Sequence, residues 1–232
     1  MPRSPTKVWY RLAVTAVVMP LAVAACVKVR SPEPAPVPHE WSGVFDDYSH
    51  LHPGGPGDLA FIYVNPAAKW TTYDAVLLEP VTLWRSGRDS LAPIPEADLV
   101  QLVTRFEDAV RRRLGEGFRL VDAPGPGVLR IRLAITAARE SDRGLDVLTA
   151  TPDAVLASAD APIHPELMTF IDGASLEGEI RDATTDELLA EGVDRRPPNA
   201  PHFVTWADVD RAAARWADRT CTRLEKRTGR RQ

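Results

Sequence analysis

Cysteine is scarce in this chain, with only Cys26 and Cys221 among 232 residues. If either thiol is modified, no intrachain disulfide can form, and the fold must rest on its apolar core. A basic surplus is also missing. Lys and Arg number 28 against 32 Asp and Glu, a formal charge of −4, and that balance excludes a general nucleic-acid binder. No apolar run is long enough to be a comfortable membrane span, which takes roughly 20 residues. The run from Leu12 to Ala25 is shorter and holds Thr15 and Pro20. Gly-x-Ser-x-Gly, phosphate-loop, dinucleotide and His-Glu-x-x-His signatures are absent, so no reaction class announces itself.

What is present begins with the first 26 residues. Arg3, Lys7 and Arg11 precede the apolar run with no acid among them, and the run ends in Val23-Ala24-Ala25-Cys26. Basic start, apolar middle and small residues make the plan of a secretory signal. Val23-Ala24-Ala25-Cys26 resembles a bacterial lipobox. The resemblance implies cleavage between Ala25 and Cys26 and lipidation of the Cys26 thiol with acyl chains such as palmitate. Val27 in place of Asp after that cysteine implies, in Gram-negative lipoproteins, transfer to the inner leaflet of the outer membrane, facing the periplasm. Two rivals stay open: an uncleaved membrane anchor, and an ordinary signal peptide cut near Ala25 with Cys26 a passenger.

Loss of residues 1–25 removes three cations and leaves 207 residues with 25 basic against 32 acidic side chains, net −7. That length suits a single domain. Residues 26–41 read as an anchor and tether. Pro32, Pro34, Pro36 and Pro38 alternate there, which forbids a helix and favours extended polyproline II. The domain then runs over 42–228, with 229–232 a frayed basic tail.

Within the domain, Ala75 to Leu78 is continuously apolar and predicts a strand buried on both faces, with Pro80 a bend or an edge. Leu99, Leu102, Val103, Phe106, Val110 and Leu114 form one helical stripe; Arg111, Arg112 and Arg113 then suit the dipole and a solvated face. Leu129, Ile131, Leu133 and Ile135 alternate with polar residues in the clearest strand signal, a strand with one wet face. Residues 138–170 lose that rhythm and allow a short helix. Ala174–Arg181 and Leu188–Val193 predict an antiparallel hairpin. Thr205 and Asp208 open a last helix as a capping box with Asp in place of Glu. Cys221, near that helix's apolar face, reads as a small buried hydrophobe; a reactive thiol beside Arg219 and Arg223 is the lesser alternative. The expected class is α+β: a two-layer sandwich with a mainly antiparallel sheet of about five strands and two amphipathic helices on one face.

The chain also resembles an uncharacterised family of bacterial lipoproteins, defined by a domain of unknown function (number 3313). The resemblance is carried by Ser42–Tyr48, Tyr73–Trp84 and Gly125–Arg130, and by Leu176–Asp182, Val193–Arg196 and Thr205–Asp208. It covers nearly all of the chain after the leader and implies export and this fold, with no known activity. Thr184-Thr185-Asp186 departs from the Thr-Gly turn common there.

Candidate chemistry is thin. His50 and His52 could share a metal from one side of a strand, yet the Pro53 and glycine context favours a solvated loop. Glu177, Glu179 and Asp182 are the carboxylates available for acid–base work. Cross-strand pairing with Arg130 and Arg132 accounts for Glu177 and Glu179 more simply. Trp41 and Trp70 are candidates to border a ligand groove. No cofactor is expected. The expected partners are the membrane, through the lipid, and an envelope protein, lipid or glycan. The expected role is non-catalytic binding or envelope assembly, with a periplasmic hydrolase using the sheet carboxylates as the alternative.

Overall fold

The structure, a computed structural model, describes residues 41–84, 94–137, 159–195 and 201–231. The leader, Cys26 and the proline tether lie outside the described residues, as do 138–158 of the irregular stretch. Strands β1 (His52–Pro53), β2 (Phe61–Val64), β3 (Ala75–Leu78) and β4 (Thr82–Trp84) come first. Helix α1 (Glu96–Gly117), β5 (Arg119–Leu120) and β6 (Val128–Ala137) follow. The chain then forms α2 (Pro165–Gly173), β7 (Ala174–Asp182), β8 (Leu188–Arg195) and α3 (Trp206–Arg227).

The α+β class holds, but among the described residues the sheet has eight strands and three α-helices join it, where five and two were expected. The order is β1-β2-β8-β7-β6-β3-β5, with β4 also on β6. Pairings around β7 and β8 are antiparallel, whereas β3 and β4 run parallel to β6 and β3 runs parallel to β5. The added strands β1, β2 and β4 are two to four residues long, too short to show a period of two.

Pro80 has a definite job. Ala75 pairs with Val128 and Thr82 with Ala134, so one strand advances seven residues while the other advances six. The surplus residue is absorbed around Pro80, which has no N–H to lose from the ladder. On either side, Glu79 N donates to Ile131 O at 2.9 Å and Val81 N to Glu107 Oε2 at 3.0 Å.

The apolar stripes pack as their spacing requires. Leu99, Leu102, Phe106, Val110 and Leu114 of α1 and Trp206, Val209, Ala213, Ala217, Cys221 and Leu224 of α3 are buried in one core. Val76, Leu129, Ile131, Leu133 and Ile135 meet them from the sheet, and α2 adds Leu167, Phe170 and Ile171. Each such large side chain contributes about 1.5–3 kcal/mol. The Thr205–Asp208 capping box forms in both directions. Thr184 N and Thr185 N both donate to Asp182 Oδ1 at 2.8 Å, and Asp186 takes the positive-φ position of the β7–β8 turn at φ 63°.

Two charged segments behave differently from expectation. Helix α1 continues through Gly117, so Arg113 is not on a solvated end. Its side chain is 12% exposed and binds Glu225 Oε1 at 2.5 Å, Asp218 at 3.0 Å and Thr222 at 3.2 Å, lacing α1 to α3. Nor does the chain fray after α3. Arg230 N bonds to Glu225 O at 2.8 Å and Gly229 N to Lys226 O at 3.2 Å, with Gly229 at φ 73°, a Schellman closure. Arg230 then lies over the Phe118 ring at 5.0 Å.

Candidate functional site

The face of the sheet away from the helices is covered over β7 and β8, while Arg130 and Arg132 of β6 stay partly exposed. Strand alternation puts Ser175, Glu177 and Glu179 of β7 on that face, between Arg132, Ala134 and Thr136 of β6 and Glu191 and Val193 of β8. Glu177, Glu179 and Glu191 are only 3–5% exposed. The cover is the segment Trp41–His50, in which Phe45 is buried.

Each buried carboxylate faces a donor or a cation. Tyr48 Oη donates to Glu177 Oε2 at 2.8 Å, and Thr136 Oγ1 to Glu177 Oε1 at 3.3 Å. Glu179 faces Arg132 Nε at 3.0 Å and Arg181 Nη2 at 3.2 Å. Glu191, directly opposite Glu179 in the ladder, pairs with His50 Nε2, and His50 Nδ1 stands 3.9 Å from Asp47. Two carboxylates opposite one another repel; Arg132, Arg181 and His50 offset that. Burial still holds the Glu191 carboxyl above the usual range, against the pull of His50. Burial, with the Glu177 charge beside it, likewise raises the Tyr48 phenol. Burial opposes the Arg181 charge, but the Glu179 bond and field outweigh it and raise its pKa.

Aromatic contacts complete the cover. Trp41 stacks on Tyr48 at 4.6 Å and meets Phe61 edge-on at 5.2 Å. His50 sits edge-on to Tyr63 at 4.7 Å, and Trp84 Nε1 donates to Ser42 O at 2.9 Å.

The residues singled out from the sequence therefore divide. His50, Glu177, Glu179 and Trp41 gather on this face. Asp182 lies apart, holding the hairpin turn and accepting from Tyr73 Oη at 2.8 Å. His52 is exposed in β1, with Nδ1 3.3 Å from its neighbour's carbonyl. Trp70 packs on the helix side near Tyr73, so it shares no groove with Trp41. Among the described residues, no three His, Cys, Asp or Glu side chains are grouped to hold a metal. Sequence reasoning missed Tyr48 and Glu191; the one signal was that Glu191 shares a strand face with the apolar Val193.

Among the described residues, hollows open on the helix side. One, of about 130 Å³, lies between α3 and the β7–β8–β2 half of the sheet. Another, of about 310 Å³, lies between α3 and the β7–β8 ends and contains Arg211 and Arg219. Asp208 and Asp194 already engage those two guanidiniums.

Residues 40–220 match the family described as "Protein of unknown function (DUF3313)". The chain belongs to that family. No curated protein matches. Among solved structures, a PelC variant crystallised as a dodecamer from Paraburkholderia phytofirmans is similar at 10% identity. That match covers 68% of this chain and 94% of that one, at a TM-score of 0.30. Among the described residues no helix is long and apolar enough to cross a membrane.

Proposed function

We propose that this member of the family is a lipid-anchored envelope protein whose domain binds or helps assemble another component and performs no catalysis. In this reading the chain is cut after Ala25, Cys26 carries the lipid and residues 27–40 hold the domain off the inner leaflet of the outer membrane. The observation that supports a non-catalytic domain is the pairing of the carboxylate row. A general acid or base must reach substrate with a free lone pair or proton, whereas Glu177, Glu179 and Glu191 are engaged by Tyr48, Thr136, Arg132, Arg181 and His50 beneath a cover. Asp182, the third carboxylate of the hydrolase alternative, is taken up by a turn.

The test is fractionation of cells carrying the wild type or Cys26→Ala. The wild type should sediment with outer membranes and the variant should appear in the soluble periplasm. Crosslinking of the anchored form should return a reproducible protein, lipid or glycan partner. Unchanged membrane partitioning of Cys26→Ala would remove the anchor.

A further inference from the structure

We infer that the hollow between α3 and the β7–β8–β2 half of the sheet binds the alkyl end of a single-chain anionic amphiphile, with Arg223 and Arg227 holding the head. This rests on the binding role proposed above and names its ligand class.

The hollow has a cause in the sequence. Gly178 and Gly192 are cross-strand partners, and both face the helices. A Cβ on Gly178 would come within 2.5 Å of Leu133 Cδ2, and one on Gly192 within 2.3 Å of Leu59 Cδ1. The two leucines thus fold down over the glycines and form an apolar floor. Ala190 beside them and Thr220 and Cys221 on α3 are too short to fill the space above, which Ile62, Val64 and Trp216 wall in. Its volume of about 130 Å³ is close to that of an apolar protein cavity of about 150 Å³ known to stay dry and accept benzene. Such a void forfeits dispersion contacts that an alkyl chain would restore.

The charge lies along one edge. Arg223 and Arg227, one turn apart on α3, line the same hollow. Arg223 Nε is 3.5 Å from Asp58 Oδ1, but its Nη1 is buried without a hydrogen-bond partner. A buried unmatched donor is costly. Burial lowers the Arg223 pKa, and Arg219 and Arg227 push the same way against Asp58 and Asp194. A carboxylate or phosphate head would supply the missing acceptor and separate the crowded cations. Neither a neutral nor a cationic head does both.

Calorimetry on the mature full-length chain, with Trp70 and Trp216 emission as a second readout, tests this with decanoate, decyltrimethylammonium and phosphatidylglycerol vesicles. Decanoate should bind with one-to-one stoichiometry and decyltrimethylammonium should not. Loss of the charge-assisted contacts in Arg223→Gln/Arg227→Gln should weaken binding about tenfold or more. Ala190→Leu, which fills the hollow, should abolish binding with the circular dichroism unchanged; if that variant fails to fold, the arginine pair decides. Capture of phosphatidylglycerol from vesicles without decanoate binding overturns the single-chain assignment. Capture of neither, equal binding of the cationic probe, or unchanged affinity in the arginine variant overturns the site. A Cys26→Ala chain that stays on the membrane would defeat the anchor and leave this result standing.

Discussion

Tyr48 and Glu177, 129 residues apart, are joined by a hydrogen bond of 2.8 Å that fastens the Trp41–His50 segment over the sheet. Tyr48→Phe leaves Glu177 buried with only the longer Thr136 contact. The loss should be about 1–3 kcal/mol of unfolding free energy, the cost of an unmatched buried acceptor. Urea unfolding reads the loss. Hydrogen exchange should rise in Trp41–His50 before it rises in β6 or β7, and equal protection of that segment in both proteins would disconnect it from the carboxylate row.

Arg113 should be as sensitive. With its side chain 12% exposed and Glu225 9% exposed, Arg113→Ala leaves the buried Glu225 carboxylate with Arg231, 3.6 Å away, as its remaining cation at the α1–α3 seam. The expected cost, read by urea unfolding, is about 1–3 kcal/mol. The double change Arg113→Met/Glu225→Leu should be far milder, because it removes both charges together. Arg113→Lys should not rescue, since a single ammonium cannot span Asp218, Thr222 and Glu225.

Asp208 sets an acid limb. Backbone N–H groups of Val204 and Thr205 hold its carboxyl down to about 2, against an ordinary value of 3.8. A depressed native pKa contributes stability that is present above the ordinary value and lost as pH falls toward the native one. The wild type should therefore lose stability between about pH 4 and pH 2. Asp208→Asn should show a shallower slope there and a cost of about 1 kcal/mol at pH 7 from the weakened cap. Chemical denaturation across pH measures both.

Cys221 should be silent toward thiol reagents in the native protein. It is 4% exposed, and burial pushes its pKa up to about 12. Iodoacetamide at pH 8 should label it only after denaturant is added. Fast labelling of folded protein would revive the reactive-thiol reading.

How much of this could be read in advance depended on distance along the chain. The α1 and α3 stripes, the Leu129–Ile135 alternation and the Thr205–Asp208 box are local patterns, and all were legible. The alternation of Glu177 and Glu179 with Leu176 and Ile180 also showed two faces correctly. It could not show that the polar face is roofed, because the roof comes from Trp41–His50, more than a hundred residues upstream. Arg113 was misread for the same reason: its partner Glu225 is 112 residues away, while the dipole argument uses only the helix itself. The mixed pairing of β3, β4 and β5 depends on long-range register that no local period encodes.

Attachment through Cys26 is the central claim, and mass spectrometry of the purified membrane-associated protein addresses it most directly. The N-terminal peptide should begin at Cys26 and carry a thioether-linked diacylglyceryl group with an amide-linked acyl chain. A peptide that retains residues before Cys26, or that begins at an unmodified Cys26, would contradict it.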